Sequence, residues 1–216
     1  MKWPQISELT RIAPFPDGYT GRSLCRQDIP LLIESITQWY PDISVGGASC
    51  YLTRDFYENK VSLEGEEDKS IYVLMIWHSK ELAGFFSLQW EALPQAIYGR
   101  IGIVSHAHRS AGLASTALQM LELIGCKVGA GFIYGMATLK IPHMQMALES
   151  LGYRLLGFAP GYDREINAKG EIKRVFEAYY AKTIVPDVEL QIPDPAKMTP
   201  QARKLFETMF PEYITG

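Results

Sequence analysis

Residues 104–118 read VSHAHRSAGLASTAL. A strand-like run ends in a short polar stretch. Arg109 and Gly112 follow, three residues apart, and after them come small and apolar residues at helical spacing. No Asp or Glu occurs between Ser105 and Leu121. A helix start exposes unpaired N–H groups at the positive end of the macrodipole, so it normally attracts an acidic side chain. Its absence leaves room for a different anion. Gly112 has no Cβ to keep a ligand away from the backbone. The N–H groups of the first helical turn can hold a phosphate, and Arg109 adds a fixed positive charge.

The elements that position this stretch can be read from periodicity. GYTGRSLC (18–25) reads as a strand. Asp28 is a candidate N-cap for a helix carrying Leu32, Ile33, Ile36 and Trp39 and stopping at Pro41. Residues 51–60 read as a second short helix, and 64–69 as a charged turn. Residues 70–79 read as a strand apolar on both faces, paired as a hairpin with 81–91. Residues 96–105 form the next strand. From Gly112 the positions Leu113, Ala117, Met120, Leu121 and Ile124 make one helix face. A strand over 131–139 follows, then a helix from Pro142 that stops at Gly152. Two last strands, 153–159 and 171–185, flank a polar loop, PGYDREINAKG. The order β-α-α-β-β-β-α-β-α-β-β predicts an α/β (α+β) chain with a mixed sheet of about seven strands and helices around it.

Arg109-Ser110-Ala111-Gly112-Leu113-Ala114 resembles the R-x-x-G-x-G/A motif of the GNAT superfamily, the acetyl-CoA-dependent N-acetyltransferases. Val104 stands where that family usually has a strand valine, and Leu151-Gly152-Tyr153 resembles its Leu-Gly-Phe signature. The strand order over roughly residues 17–185 is also similar to theirs. The resemblance implies that Arg109, Ser110, Ala111, Gly112, Leu113, Ala114 and Ser115 hold the pyrophosphate of CoA. Backbone groups near Ile103 and Val104 would hold the pantetheine arm between two splayed parallel strands. An acceptor amine would attack the thioester directly, without a covalent enzyme intermediate.

The catalytic half of the family pattern is absent. Arg100 stands where many members carry an acid, Ile141 where many carry an asparagine, and Leu148 where many carry a tyrosine. His143, in the first turn of the later helix, and Tyr134, on the second splayed strand, are the candidate catalytic residues. Glu91 reads as a solvated strand end, and His78 as a distant base candidate. Tyr162, Asp163 and Arg164, in the polar loop, are candidate acceptor contacts, as is Glu165. His106 and His108 form an H-x-H pair with no third ligand near in sequence, so no metal is expected and they flank the phosphates instead. GAGFIYG (129–135) leads from a helix into a strand, the reverse of a dinucleotide-binding context.

Composition bounds the rest. The 216 residues are 47% hydrophobic and 21% charged, with net charge -3, which gives no electrostatic reason for nucleic-acid binding. Three cysteines without a CxxC pair fit a reducing cytoplasm. The longest apolar run, residues 71–77, is too short to span a bilayer, so no membrane partner is expected. The expected function is an N-acetyltransferase acting on a small-molecule or peptide amine. The alternatives are a non-catalytic acyl-CoA-binding or regulatory module of the same fold, and an interaction protein using its tail.

That tail begins at Pro186. Residues 186–200 hold four prolines without a period and read as an extended arm. Residues 199–210 then read as a capped helix with Leu205, Phe206, Met209 and Phe210 on one side. A helix this short is not stable alone, so the stripe predicts docking on its own chain or on a twin subunit in a homodimer. Truncation after Val185 is expected to lower the melting temperature or change the elution volume. Unchanged melting and elution would show that the tail is idle.

Overall fold

The computed structural model describes residues 2–214. Seven strands form one mixed sheet in the order β1-β2-β3-β4-β5-β7-β6. They are β1 (Tyr19–Ser23), β2 (Ile71–His78), β3 (Glu81–Glu91), β4 (Ala96–Val104), β5 (Phe132–Thr138), β6 (Arg154–Ile166) and β7 (Ile172–Thr183). The helices are α1 (Ile6–Leu9), α2 (Ile29–Trp39), α3 (Arg54–Lys60), α4 (Leu113–Val128), α5 (His143–Ser150) and α6 (Pro200–Met209). The expected strand order and mixed sheet are observed. By contacts the chain divides into two units, one up to Ile184 and one from Val185. In the second unit, Thr199 Oγ1 caps α6 by accepting from the Ala202 N–H at 3.2 Å, and the Phe206 and Phe210 rings lie 5.3 Å apart. No helix among the described residues is long and apolar enough to cross a membrane.

The sheet is apolar on both faces because both are covered. One face packs the α4 stripe of Leu113, Ala117, Met120, Leu121 and Ile124 against Ile97, Ile133 and Ala178. The other packs Leu32 and Ile36 of α2 and Tyr57 of α3 against Val73, Met75, Phe85 and Ile103. Gly152, at φ +79°, ends α5 by turning the chain into the left-handed region, and Tyr153 N–H then bonds Leu148 O at 3.0 Å.

Three local expectations are corrected. Asp28 does not cap α2: its carboxylate accepts from Cys25 N–H and pairs with Arg22, which fixes the turn before the helix. Residues 47–52 are a 3-10 turn and only Arg54–Lys60 is α-helical. The stretch 160–171 is not a loop. β6 runs through it to Ile166, and the turn is confined to 167–171, where the Asn167 side-chain oxygen accepts from the Lys169 and Glu171 N–H groups. A strand with one exposed face and one half-buried polar face resembles a loop in composition.

β3 holds the end of β4 very closely at Gly84. A Cβ there would lie 2.7 Å from Ile103 O and 3.2 Å from Val104 Cα. Gly84→Ala is therefore expected to push the end of β4 outward and to cost about 1–3 kcal/mol, the usual range for overpacking. Urea unfolding measures this, and an unchanged midpoint would show that the strand yields freely.

Candidate active site

β4 and β5 are parallel, and they pair only from Ala96↔Phe132 to Gly99↔Gly135. Beyond these two glycines the strands separate, although β4 stays paired with β3 as far as Val104 and β5 with β7 as far as Thr138. The cause is visible in the register. Ser87 faces Ile101 and Leu88 faces Gly99, so Arg100 is an extra residue, a β-bulge. A bulge bends its strand and increases its twist, which turns β4 away from β5. The opened seam leaves backbone N–H and C=O groups on the facing edges without a ladder partner, a costly state unless something fills it.

A cavity of about 1000 Å³ runs through the seam. At one end it is lined by Ile103, Val104, Arg109, Ser110, Gly112, Leu113, Ala114 and Ser115. Here Gly112 adopts φ +75°, and an added Cβ would meet nothing within 4 Å. The first turn of α4 carries no acid. Ser110 is also left-handed, at φ +79°, and this tightens the loop. Ala111 packs against the core beside Leu113 and Ala114 but, unlike them, does not line the cavity. His108 is buried, with Nδ1 2.9 Å from the Tyr19 hydroxyl and its ring also against His78. His78 stands behind His108, outside the cavity lining, and so is not placed to act as a base there. No metal-binding group of three or more His, Cys, Asp or Glu exists among the described residues.

The other end is aromatic and charged. Tyr98 stacks on Tyr134 with ring centroids 5.1 Å apart, and its hydroxyl lies 3.1 Å from that of Tyr162. Tyr162 reaches that position because β6 bulges outward between Ala159 and Asp163. Tyr134 donates its hydroxyl proton to Glu91 at 2.9 Å, toward the closed end of the seam. That geometry argues against Tyr134 as a proton donor at the open end and corrects the reading of Glu91 as merely solvated. Asp163 accepts from Gly47 N–H and from its own neighbour's N–H, each at 2.7 Å, so its carboxylate fixes the cavity rim. Glu165 pairs with Lys140. Arg164 does not line the cavity. His143, the first residue of α5, is exposed and lines it, whereas Leu148 is buried and lines it with apolar surface.

Glu177 was not singled out from the sequence. It lies on β7 opposite Thr138, half-buried in the cavity wall, on the same face of the sheet as Tyr179. Burial, with added repulsion from Asp163 and Glu165, pushes its carboxyl up to about 7. The legible signal was one acid inside an otherwise apolar and aromatic strand segment, Phe176-Glu177-Ala178-Tyr179-Tyr180.

Arg100 is anchored from behind. Its Nε donates to the Tyr51 hydroxyl at 3.0 Å, Tyr51 donates to Ser87 Oγ at 2.6 Å, and Ser87 donates to Tyr72 O at 3.1 Å. Burial raises the Tyr51 phenol to about 12, which keeps it protonated for this relay. Tyr51→Phe is expected to cost about 1–2 kcal/mol, because it removes the shared hydroxyl and leaves two buried groups short of a partner. An unchanged denaturation midpoint would show that the relay contributes nothing.

No family model and no curated protein matches the sequence. Solved structures do match its fold. A spermidine N-acetyltransferase from Vibrio cholerae, solved as a dodecamer, is similar with a TM-score of 0.59 at 14% identity, covering 77% of this chain and 94% of that one. A ribosomal-protein alpha-N-acetyltransferase is similar with a TM-score of 0.56 at 15% identity, covering 80% and 97%. An IAA acetyltransferase from Bacillus cereus gives 0.55 at 10% identity, covering 77% and 99%. These likenesses show a shared fold, and the chain, with its seven-stranded mixed sheet flanked by helices, has a GNAT-like α/β fold.

Proposed function

We propose that the chain is an N-acyltransferase that moves an acetyl group from acetyl-CoA to a primary amine by direct attack. The observation that carries this reading is the single cavity joining a bare helix N-terminus, an unzipped strand edge and an acidic wall. A long ligand with a phosphate end and an amide-bearing arm fits these parts in order. The N–H groups of Gly112 to Ser115 and the Arg109 charge would hold the phosphates. The free edge of β4 near Ile103 and Val104 would hold the arm as an added strand does. The thioester, when bound, supplies an acyl carbon open to an amine.

Glu177 takes the amine proton at its carboxylate, directly or through water, as the amine nitrogen gains the acetyl carbon and the C–S bond breaks. Leu148 has no proton to give to the sulfur. His143 is the titratable residue of α5 that lines the cavity, and it fills that role at its imidazole. Arg100 and Leu148 in place of an acid and a tyrosine favour the second reading, a non-catalytic acyl-CoA-binding module. Glu177 favours the first. Cys25, Cys50 and Cys126 are all free, which fits a reducing cytoplasm as the place of the reaction.

Two measurements separate these readings. Saturating acetyl-CoA is expected to raise the melting temperature, by about 2.7 kcal/mol of stability at a hundredfold excess over Kd. Ser115→Glu introduces the acid that a helix start welcomes, so it folds, but it repels the phosphates and loses the shift. No shift in the wild-type protein sinks both readings. In steady-state assays with an accepted amine, Glu177→Gln is expected to lower kcat about a hundred- to ten-thousandfold. It also removes the limb on which the rate rises as Glu177 ionises near pH 7. The raised carboxyl gives stability that is present below its ordinary value of 4.5 and lost as pH rises through about 7. The Gln variant should therefore melt above the wild type at pH 8, which checks that it is folded. Full activity in that variant would remove Glu177 from catalysis and put the base elsewhere, whereas a retained acetyl-CoA shift without turnover on any amine would support the binding module.

A further inference from the structure

Arg100 is a cation without an anion. Its Nε donates to Tyr51, one terminal nitrogen donates to Gln89 Oε1 at 2.5 Å, and the other lies 3.9 Å from Cys50 Sγ. The Tyr51, Phe56 and Tyr98 rings lie 5.8, 5.9 and 5.9 Å from its central carbon. Every one of these partners is neutral, and among the described residues Arg100 makes no ion pair. A guanidinium has five donors in a planar fork that matches a carboxylate. Two good hydrogen bonds leave donors unused. Partial burial of an unpaired charge is unfavourable, so the aromatic box holds the fork ready at a cost in stability.

The opposite wall has the complementary character. Asp163 is committed to backbone N–H groups and Glu165 to Lys140, whereas Glu177 has no ion-pair partner among the described residues. β5 alone separates the strands of Arg100 and Glu177. Two strand spacings amount to about 10 Å, and the splay adds to this. Both side chains line the same cavity and shorten the gap between their charges. What remains between them suits a small molecule with a negative end and an amine.

We propose that the acceptor is a small amine that also carries a carboxylate, an amino acid or a close relative, with its carboxylate on Arg100 and its amine toward Glu177. This rests on the acyltransferase reading and gives it a substrate class. Arg100 thus reads the acceptor from the position where an acid was expected. A peptide blocked at its carboxyl end lacks the group that Arg100 recognises.

The test uses the full chain with acetyl-CoA and pairs of acceptors that differ only by the carboxylate: lysine and cadaverine, phenylalanine and phenethylamine, tyrosine and tyramine. Thiol release gives kcat/KM. Calorimetry with saturating CoA gives binding of each acceptor. In at least one pair the carboxylated member is expected to be preferred about ten- to a hundredfold, the scale of one charge-assisted contact. Arg100→Gln should level that pair mainly through KM, and Arg100→Lys should restore part of the preference. Melting curves and the acetyl-CoA shift confirm that each variant is folded. If the Gln variant is unfolded, Arg100→Lys alone decides, because loss of the fork must still reduce the preference. Equal or better use of the decarboxylated amines overturns the proposal. So does a preference unchanged in the folded variants, or an absence of both turnover and binding across all pairs. In each case a retained acetyl-CoA shift leaves the acyl-CoA reading standing, whereas a wild type without that shift fails at the underlying reading.

Discussion

The structure depends on a seam that its own sheet refuses to close. Seven strands could have made an uninterrupted ladder. Instead, one extra residue at Arg100 bends β4 away from β5 just past the Gly99–Gly135 pair. The seam survives because each lip is secured from behind, β4 by β3 and β5 by β7. Gly84 permits the close β3–β4 approach, and Gly135 permits the last β4–β5 pair, since a Cβ there would stand 3.1 Å from Gly99 O. Apolar clusters on both faces of the sheet supply the burial that offsets the unmade hydrogen bonds. On the proposed reading the open backbone edges become binding groups rather than defects.

Charge divides the cavity along its length. The α4 end is positive through backbone dipoles and Arg109, without any acid in the first turn. The far end gathers Asp163, Glu165 and Glu177 on β6 and β7, with Lys140 neutralising one of them. Arg100 lies at the bend between the two ends. Tyr98, Tyr134 and Tyr162 line the cavity there with rings whose hydroxyls pair with one another or with Glu91. Such a wall accepts an apolar or aliphatic body while the charged groups orient its ends.

Much of this was legible in the sequence. The α4 stripe, Gly112 before it and Gly152 after α5 are positions where only one residue type or period fits, so the helices and the acid-free start of α4 could be read directly. Boundaries were less legible. β6 hid inside Tyr162-Asp163-Arg164-Glu165, because an edge strand with one solvated face and one face on a polar cavity carries the polar composition of a loop. Glu177 could not be found by spacing. Its importance comes from a register, Glu177 opposite Thr138, that brings a residue near the chain's end beside a strand 39 positions earlier. Tyr134 lined the cavity as its place on β5 suggested, but the direction of its hydroxyl depended on Glu91 across two strands.

The charge arrangement also bears on proton transfer. An acid in the β4 bulge would attract an ammonium and could take its proton. Arg100 there does the opposite, since a cation a few ångströms away disfavours the protonated amine and lowers its pKa. A substrate carboxylate on Arg100 moderates this repulsion but leaves the amine in a site that is not acidic at that point. Glu177 is half-buried and lies among like charges, so taking up a proton relieves first the cost of burying its charge and then the repulsion from Asp163 and Glu165. On the proposed reading the two groups act on one event from opposite sides: Arg100 favours the amine losing its proton, and the acidic cluster favours Glu177 receiving it. Transfer between the walls then needs no residue at the usual position, because the field across the cavity already runs in the required direction.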